Sequence, residues 1–319
     1  MHGWRMGLAV FMGLALATGA GAQDAASWLA SQGLEGSDTK SFQEYEAVVA
    51  HAKDGADERV VVLRQGKPVL ELGAKEAPGA RWTIRAIGRD LDGDGHPDLH
   101  VSAFTGKGNC CTTHYVYRLK PSVRRLAVYE AGAMGGGDFI DVEGRRQPIM
   151  ISADDSSASA FAPYANSYFP MVVLELGRGG FELASDLMRS RLPGMPPPVC
   201  QLPAATSNLW LRERCGEYTT LRRQERTQAV KAKLAAIKSH RSGEKLDWDD
   251  YFGAGVLAAV SAEINRYTYT GHGNAGYAWL ETVWPGNDEV KVRFVETLRR
   301  TQAKSAFAED LKRLATPGG

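Results

Sequence analysis

Asp90-Leu-Asp92-Gly-Asp94-Gly-His96-Pro-Asp98-Leu-His-Val101 places four carboxylates and two glycines in nine residues, then runs directly into a β-type stretch. Acidic groups at alternate positions of one short loop repel each other unless a hard, oxygen-loving cation neutralises them, and Ca²⁺ fits best. Asp90, Asp92 and Asp94 stand at positions 1, 3 and 5 of a calcium loop. Gly95 allows the sharp turn, His96 offers its backbone carbonyl at position 7, and Asp98 supplies the closing carboxylate. Position 12, where a helix–loop–helix site carries Glu, is Val101, and the flanks read as strands. The loop is therefore predicted to join two strands around a structural ion. The metal-free alternative is an Asx-rich turn whose carboxylates accept backbone hydrogen bonds.

Working outward, Val60–Leu63, Val69–Leu72, Trp82–Ile87, Leu99–Ala103, His114–Leu119 and Met171–Leu176 are β-branched, aromatic or alternating, with Gly, Pro and Asp clusters between them. Gln65-Gly66-Lys67 is a hairpin turn. The loop also has a second, degenerate copy. Asp141-Val-Glu143-Gly144-Arg145-Arg146-Gln-Pro148-Ile149 aligns with it 51 residues later, and Met171–Leu176 then corresponds to His114–Leu119. Arg145 and Arg146 replace Asp94 and Gly95, so this copy keeps the turn and loses the metal. Each unit is expected to be a four-stranded antiparallel meander of the kind that builds propeller blades.

Asp-x-Asp-Gly-Asp-Gly-x-Pro-Asp-Leu before a strand resembles the FG-GAP or VCBS-type repeats of exported bacterial proteins. Gly106-Lys-Gly-Asn109-Cys110-Cys111 resembles a Gly-rich Cys-Cys segment of uncharacterised periplasmic proteins that also carry a helical C-terminal region. In that pattern His precedes the cysteine pair, whereas here the residue is Asn109. The resemblance covers about residues 85–180. It implies Ca²⁺ at Asp90, Asp92, Asp94 and Asp98 and a ligand-binding or adhesive scaffold, and it implies no reaction. About 150 residues supply too few units for a closed propeller of four or more blades, so a partial-propeller or sandwich-like domain is expected.

Residues 1–22 read as a secretory signal. Arg5 is followed by an apolar run over Leu8–Ala17, about ten residues and too short to span a bilayer, and then by Ala20-Gly21-Ala22 as a cleavage site. A periplasmic or secreted protein follows, with no membrane span after cleavage. The net charge of +1 hides a small asymmetry. Residues 23–203 hold 19 Lys/Arg against 23 Asp/Glu, and residues 204–319 hold 18 against 14, too weak a bias for nucleic acid. Export makes the four cysteines candidates for disulfides, and four allow three pairings. Cys110–Cys111 with Cys200–Cys215 is the preferred set. The rival is a metal or redox site, but no Cys-x-x-Cys occurs.

The expected organisation is α+β and multidomain. A lead-in segment (23–58) precedes an antiparallel β-repeat domain (59–192), a Pro-rich linker (193–203) and a small α-helical bundle (204–319). Helices are expected over Leu209–His240, Trp248–Tyr267 (opening near Asp247) and Asn274–Trp284. Glu289–Thr301, capped by Asn287 or Asp288, and a last helix capped by Ser305 complete the bundle. No Gly-x-Ser-x-Gly, His-Glu-x-x-His or phosphate-loop motif is present. His100 and His114 fall on neighbouring strands of the first unit. His272, in Thr270-Gly271-His272-Gly273, presents a base or simply follows a helix terminus whose C′ residue is Gly271. Tyr164, Tyr168 and Phe169 form an aromatic loop, either gripping a glycan or peptide or tucked onto the core. The main expectation is a non-enzymatic envelope binding or scaffold protein whose partner is an envelope protein or glycan. The alternative is a hydrolase of envelope polymer using His272 with Asp154 or Asp155 across a cleft.

Overall fold

Strand-forming sequence dominates up to Leu183 and helix-forming sequence follows it, and the computed structural model keeps that divide. It describes residues 20–53, 55, 57–106, 111–132, 136–240 and 245–316. Three four-stranded antiparallel sheets and a set of C-terminal helices make the chain an α+β protein. The chain separates into two compact units, Met1–Gly79 and Ala80–Gly319.

In the first unit, α1 (Ala20–Ser31) precedes β1 (Leu34–Phe42), β2 (Tyr45–Ala52), β3 (Arg59–Arg64) and β4 (Lys67–Leu72), paired in chain order. Ala25 and Leu29 of the helix pack with Leu34, Val48, Ala50, Val61 and Leu63 of the strands. The region read as a lead-in thus contributes two strands to a sheet. Gln65 and Gly66, both at positive φ (51° and 74°), form the expected two-residue hairpin turn between β3 and β4. Of the expected signal segment, residues 1–19 lie outside the described residues, and α1 runs across Ala22 and Gln23.

The second unit opens with β5 (Arg81–Arg89), β6 (Asp98–Phe104), β7 (Thr112–Arg118) and β8 (Arg124–Gly132). A second meander follows, of β9 (Phe139–Ile140), β10 (Ile149–Ala153), β11 (Met171–Gly177) and β12 (Gly180–Leu183). Both sheets pair their strands in chain order. The two aligned acidic segments therefore occupy the same place, between the first and second strands of each sheet.

The helices are α2 (Ser185–Met188), α3 (Ala204–Ser207), α4 (Leu209–Gly216), α5 (Thr220–His240), α6 (Trp248–Gly253), α7 (Val256–Thr268), α8 (Gly273–Val283), α9 (Glu289–Lys304) and α10 (Ala308–Ala315). Two expected single helices are split. Leu209–His240 breaks after Gly216, where Thr219 Oγ1 accepts from Arg222 N–H (3.3 Å) and opens α5. Trp248–Tyr267 breaks at Gly255, which adopts φ +68°. The helix expected to open near Asp247 does so through an Asp247 capping box, and Asp288, not Asn287, caps α9. Ser305 Oγ accepts from Phe307 N–H (3.0 Å) just before α10.

No compact boundary falls at the Pro-rich segment 193–203. One core joins Met150, Val172, Leu174, Tyr129 and Phe139 of the sheets with Leu187, Leu211, Phe307, Leu311 and Leu314 of the helices. A second, helical core surrounds Trp284, Phe294, Val260 and Ile264 and takes in Phe161 from the β10–β11 connection. The strands from 80 onward and the helices form one compact unit, each covering apolar residues of the other. Cys200 and Cys215 are bonded, with Cα atoms 5.5 Å apart, tying the Pro198–Gln201 turn to α4 as expected. A closure of that length stabilises by about 3 kcal/mol. Cys110 lies outside the described residues, and with it the expected Cys110–Cys111 bond.

Candidate metal loop and its surroundings

The Asp90–Asp98 loop is closed by β5–β6 pairing, with Arg89 opposite Asp98. Gly93 and Gly95 take φ +74° and +87°, conformations that side chains resist. The acidic side chains organise the backbone. Asp90 accepts from the N–H groups of Asp94 (3.0 Å) and Gly95 (2.8 Å), and Asp94 accepts from His96 N–H (2.9 Å). Asp90, Asp92 and Asp98 each turn a carboxylate oxygen into one cluster, all within 4.8 Å of one another. Asp94 is not in that cluster: its carboxylate pairs with Arg118, which also bonds Asp92 at 2.7 Å. Arg118 follows from register, for it sits directly across from Asp98 on β7.

Asp98 is fully buried. Its Oδ2 accepts from Leu91 N–H (2.7 Å), while its Oδ1 has no partner. Burial pushes the carboxyl up to about 7, the charges of Asp92 and Asp90 push the same way, and the Leu91 hydrogen bond opposes them. Three converging carboxylates and one orphaned buried oxygen form a donor set of the kind that a hard cation takes. Of the five expected ligands, the fold brings together Asp90, Asp92 and Asp98. His96 is placed by its own N–H bond to Asp94, and Asp94 is turned toward Arg118.

The second loop shares this neighbourhood. A side chain added at Gly93 would meet Gln147 at 3.3 Å, so the degenerate copy packs against the intact one. Arg145 is held between Glu175 and Asp186.

The other candidates lie elsewhere. His100 and His114 meet on β6 and β7, both fully buried, with Nε2 and Nδ1 2.9 Å apart. Phe139 packs edge-on against His100, and Tyr129 stacks on His114. Burial holds His100 well below the usual imidazole range, and His114, Arg85 and Arg89 add to this. His272 Nε2 lies 3.0 Å from the carbonyl oxygen of Ser190, and Gly271 adopts φ +83° just past α7, as expected of C′. Asp154 and Asp155 line a cleft of about 450 Å³ with Glu130 and Lys304, and His272 is not part of it. Asp154 is buried and accepts from the hydroxyls of Tyr269 and Ser305, which fixes the end of β10 to the ends of α7 and α9. The aromatic loop is tucked in. Phe169 is buried, and the Tyr168 ring lies under the guanidinium of Arg266, 4.5 Å from its centroid.

Among the described residues, no helix is long and apolar enough to cross a membrane. The chain matches no protein-family model, no curated protein and no solved structure.

Proposed function

We propose that this chain is an exported, non-enzymatic binding or scaffold protein of the bacterial envelope, with a structural Ca²⁺ ion in the β5–β6 loop. The observation that carries the metal is Asp98: a fully buried carboxylate, one oxygen unpartnered, with Asp90 and Asp92 converging beside it. A buried group of this kind costs several kcal/mol unless a counter-charge compensates it. The FG-GAP/VCBS-like pattern of the loop and the signal-like first residues support the same reading. So does the absence of any motif for catalysis in the sequence. Bound there, Ca²⁺ would be held by Asp90, Asp92 and Asp98 and would fix the β5–β6 hairpin. The partner is an envelope protein or glycan.

The test is thermal unfolding of the mature protein. An ion present at about a hundred times its dissociation constant adds roughly 2.7 kcal/mol, on the order of 4–5 °C for a chain of this size. EDTA lowers Tm by that amount and added Ca²⁺ restores it. Asp98→Asn keeps the shape, loses the response to Ca²⁺ and is more stable than the wild type in EDTA. A wild-type Tm indifferent to EDTA and Ca²⁺ would leave the loop as a metal-free Asx turn.

A further inference from the structure

Beside the loop lies a half-open cleft of about 570 Å³, between the β7–β8 and β11–β12 connections. Arg118, Arg124, Arg125 and Arg178 line it, facing Asp92, Asp94 and Glu182. Arg124, Arg125 and Arg178 are exposed and take part in no ion pair among the described residues. Three unpaired guanidiniums on one cleft repel one another, and folding alone gives no reason to gather them there. A planar guanidinium donates in pairs to carboxylate, phosphate or sulfate oxygens.

The rest of the lining narrows the ligand. Only Leu126 and Leu176 are apolar. Asp92, Asp94, Glu182 and the Gln147 amide offer acceptors beside the guanidinium donors. A ligand matching both must carry anionic groups and hydroxyls on one compact body, and the volume suits one or two sugar rings. We infer that this cleft binds an acidic sugar unit, with Arg124, Arg125 and Arg178 gripping its acid groups and the flanking carboxylates accepting from its hydroxyls.

This inference deepens the proposed function and, in one part, rests on it. Arg118 is now held by Asp92 and Asp94, its side chain 12% exposed and its Nε without a partner. Asp92 is the carboxylate for which a cation and Arg118 compete. Ca²⁺ therefore loosens Arg118 toward the cleft, and binding of ion and sugar becomes mutually reinforcing, as linkage requires.

Calorimetric titration of the full mature chain tests both parts. The probes are a galacturonate trisaccharide, the neutral galactose trisaccharide and sodium sulfate, each with and without Ca²⁺ at fixed ionic strength. The acidic trisaccharide is expected to bind and the neutral one not to, with sulfate much weaker. Arg124→Ala/Arg178→Ala weakens the acidic probe at least about tenfold, since each charged hydrogen bond contributes over 1 kcal/mol, and does not weaken Ca²⁺ binding, because the lost charges are positive. Equal binding of the acidic and neutral probes, no binding of either, or full affinity in the double variant overturns the acidic-sugar site. Sulfate as tight as the trisaccharide overturns the sugar assignment. A chain that binds the acidic probe through Arg124 and Arg178 but no Ca²⁺ upholds the cleft and sinks the metal and the coupling together. Ca²⁺ bound with no change in sugar affinity overturns the coupling alone.

Discussion

His100 shows what a single buried residue contributes to this fold. Its Nε2 lies 2.9 Å from His114 Nδ1, within reach of a hydrogen bond between the rings, and burial favours the neutral form of His100. Protonating His100 would place a charge among the rings of Phe139 and His114 and near Arg85 and Arg89. The folded pKa is therefore depressed, while the unfolded chain returns to about 6.5. Between those two values the unfolded state binds more protons, so this contribution to stability is complete above about pH 6.5 and declines as pH falls through the window. With Ca²⁺ saturating, the urea midpoint of the wild type should drop from pH 7 to pH 5, and His100→Gln should show a shallower drop. Parallel pH profiles for the two proteins would remove His100 as the source.

At the scale of elements, the sequence was legible where a segment's own chemistry decides its state. Val60–Leu63 and Met171–Leu176 are strands because β-branched and apolar side chains fit a buried pleat, and Asp247 and Asp288 cap helices wherever those helices pack. It was illegible where state depends on a neighbour. Strand β1 (Leu34-Glu-Gly-Ser-Asp-Thr-Lys-Ser-Phe) is polar and exposed along most of its length and exists by pairing with β2. The loop that brings Asp90, Asp92 and Asp98 together could be picked out from its spacing. Arg118 could not, because only the β6–β7 register sets it opposite Asp98.

Gly271 and Gly255 separate local from tertiary demands in one comparison. Both have positive φ, which costs an L residue roughly 1–2 kcal/mol. A Cβ at Gly271 would also stand 2.8 Å from the Leu314 carbonyl oxygen of α10, whereas at Gly255 it would meet only the Lys233 ammonium, at 3.4 Å. Gly271→Ala should therefore destabilise by about 1–3 kcal/mol more than Gly255→Ala in urea unfolding. Equal losses would mean that the α7–α10 approach is not tight.

Across the whole of residues 80–319, sheets and helices share a core, and the Asp154 carboxylate, held by hydroxyls from Tyr269 and Ser305, pins them at one point. Phe307 sits where these contacts meet: it is buried, its ring is 5.8 Å from Tyr129 of β8, and it leads into α10. Truncating a buried Phe leaves a cavity and costs about 3–5 kcal/mol. If the strands were a self-sufficient domain ending at the Pro-rich segment, that loss would fall on the helices alone. A shared core instead spreads it. In Phe307→Ala, hydrogen exchange should show the amides of Val172 and Val173 in β11 losing protection together with Leu311 in α10, in one cooperative step. Protection retained in β11 while α10 opens would show that the β part holds its fold unaided, and the boundary would move back to residues 193–203.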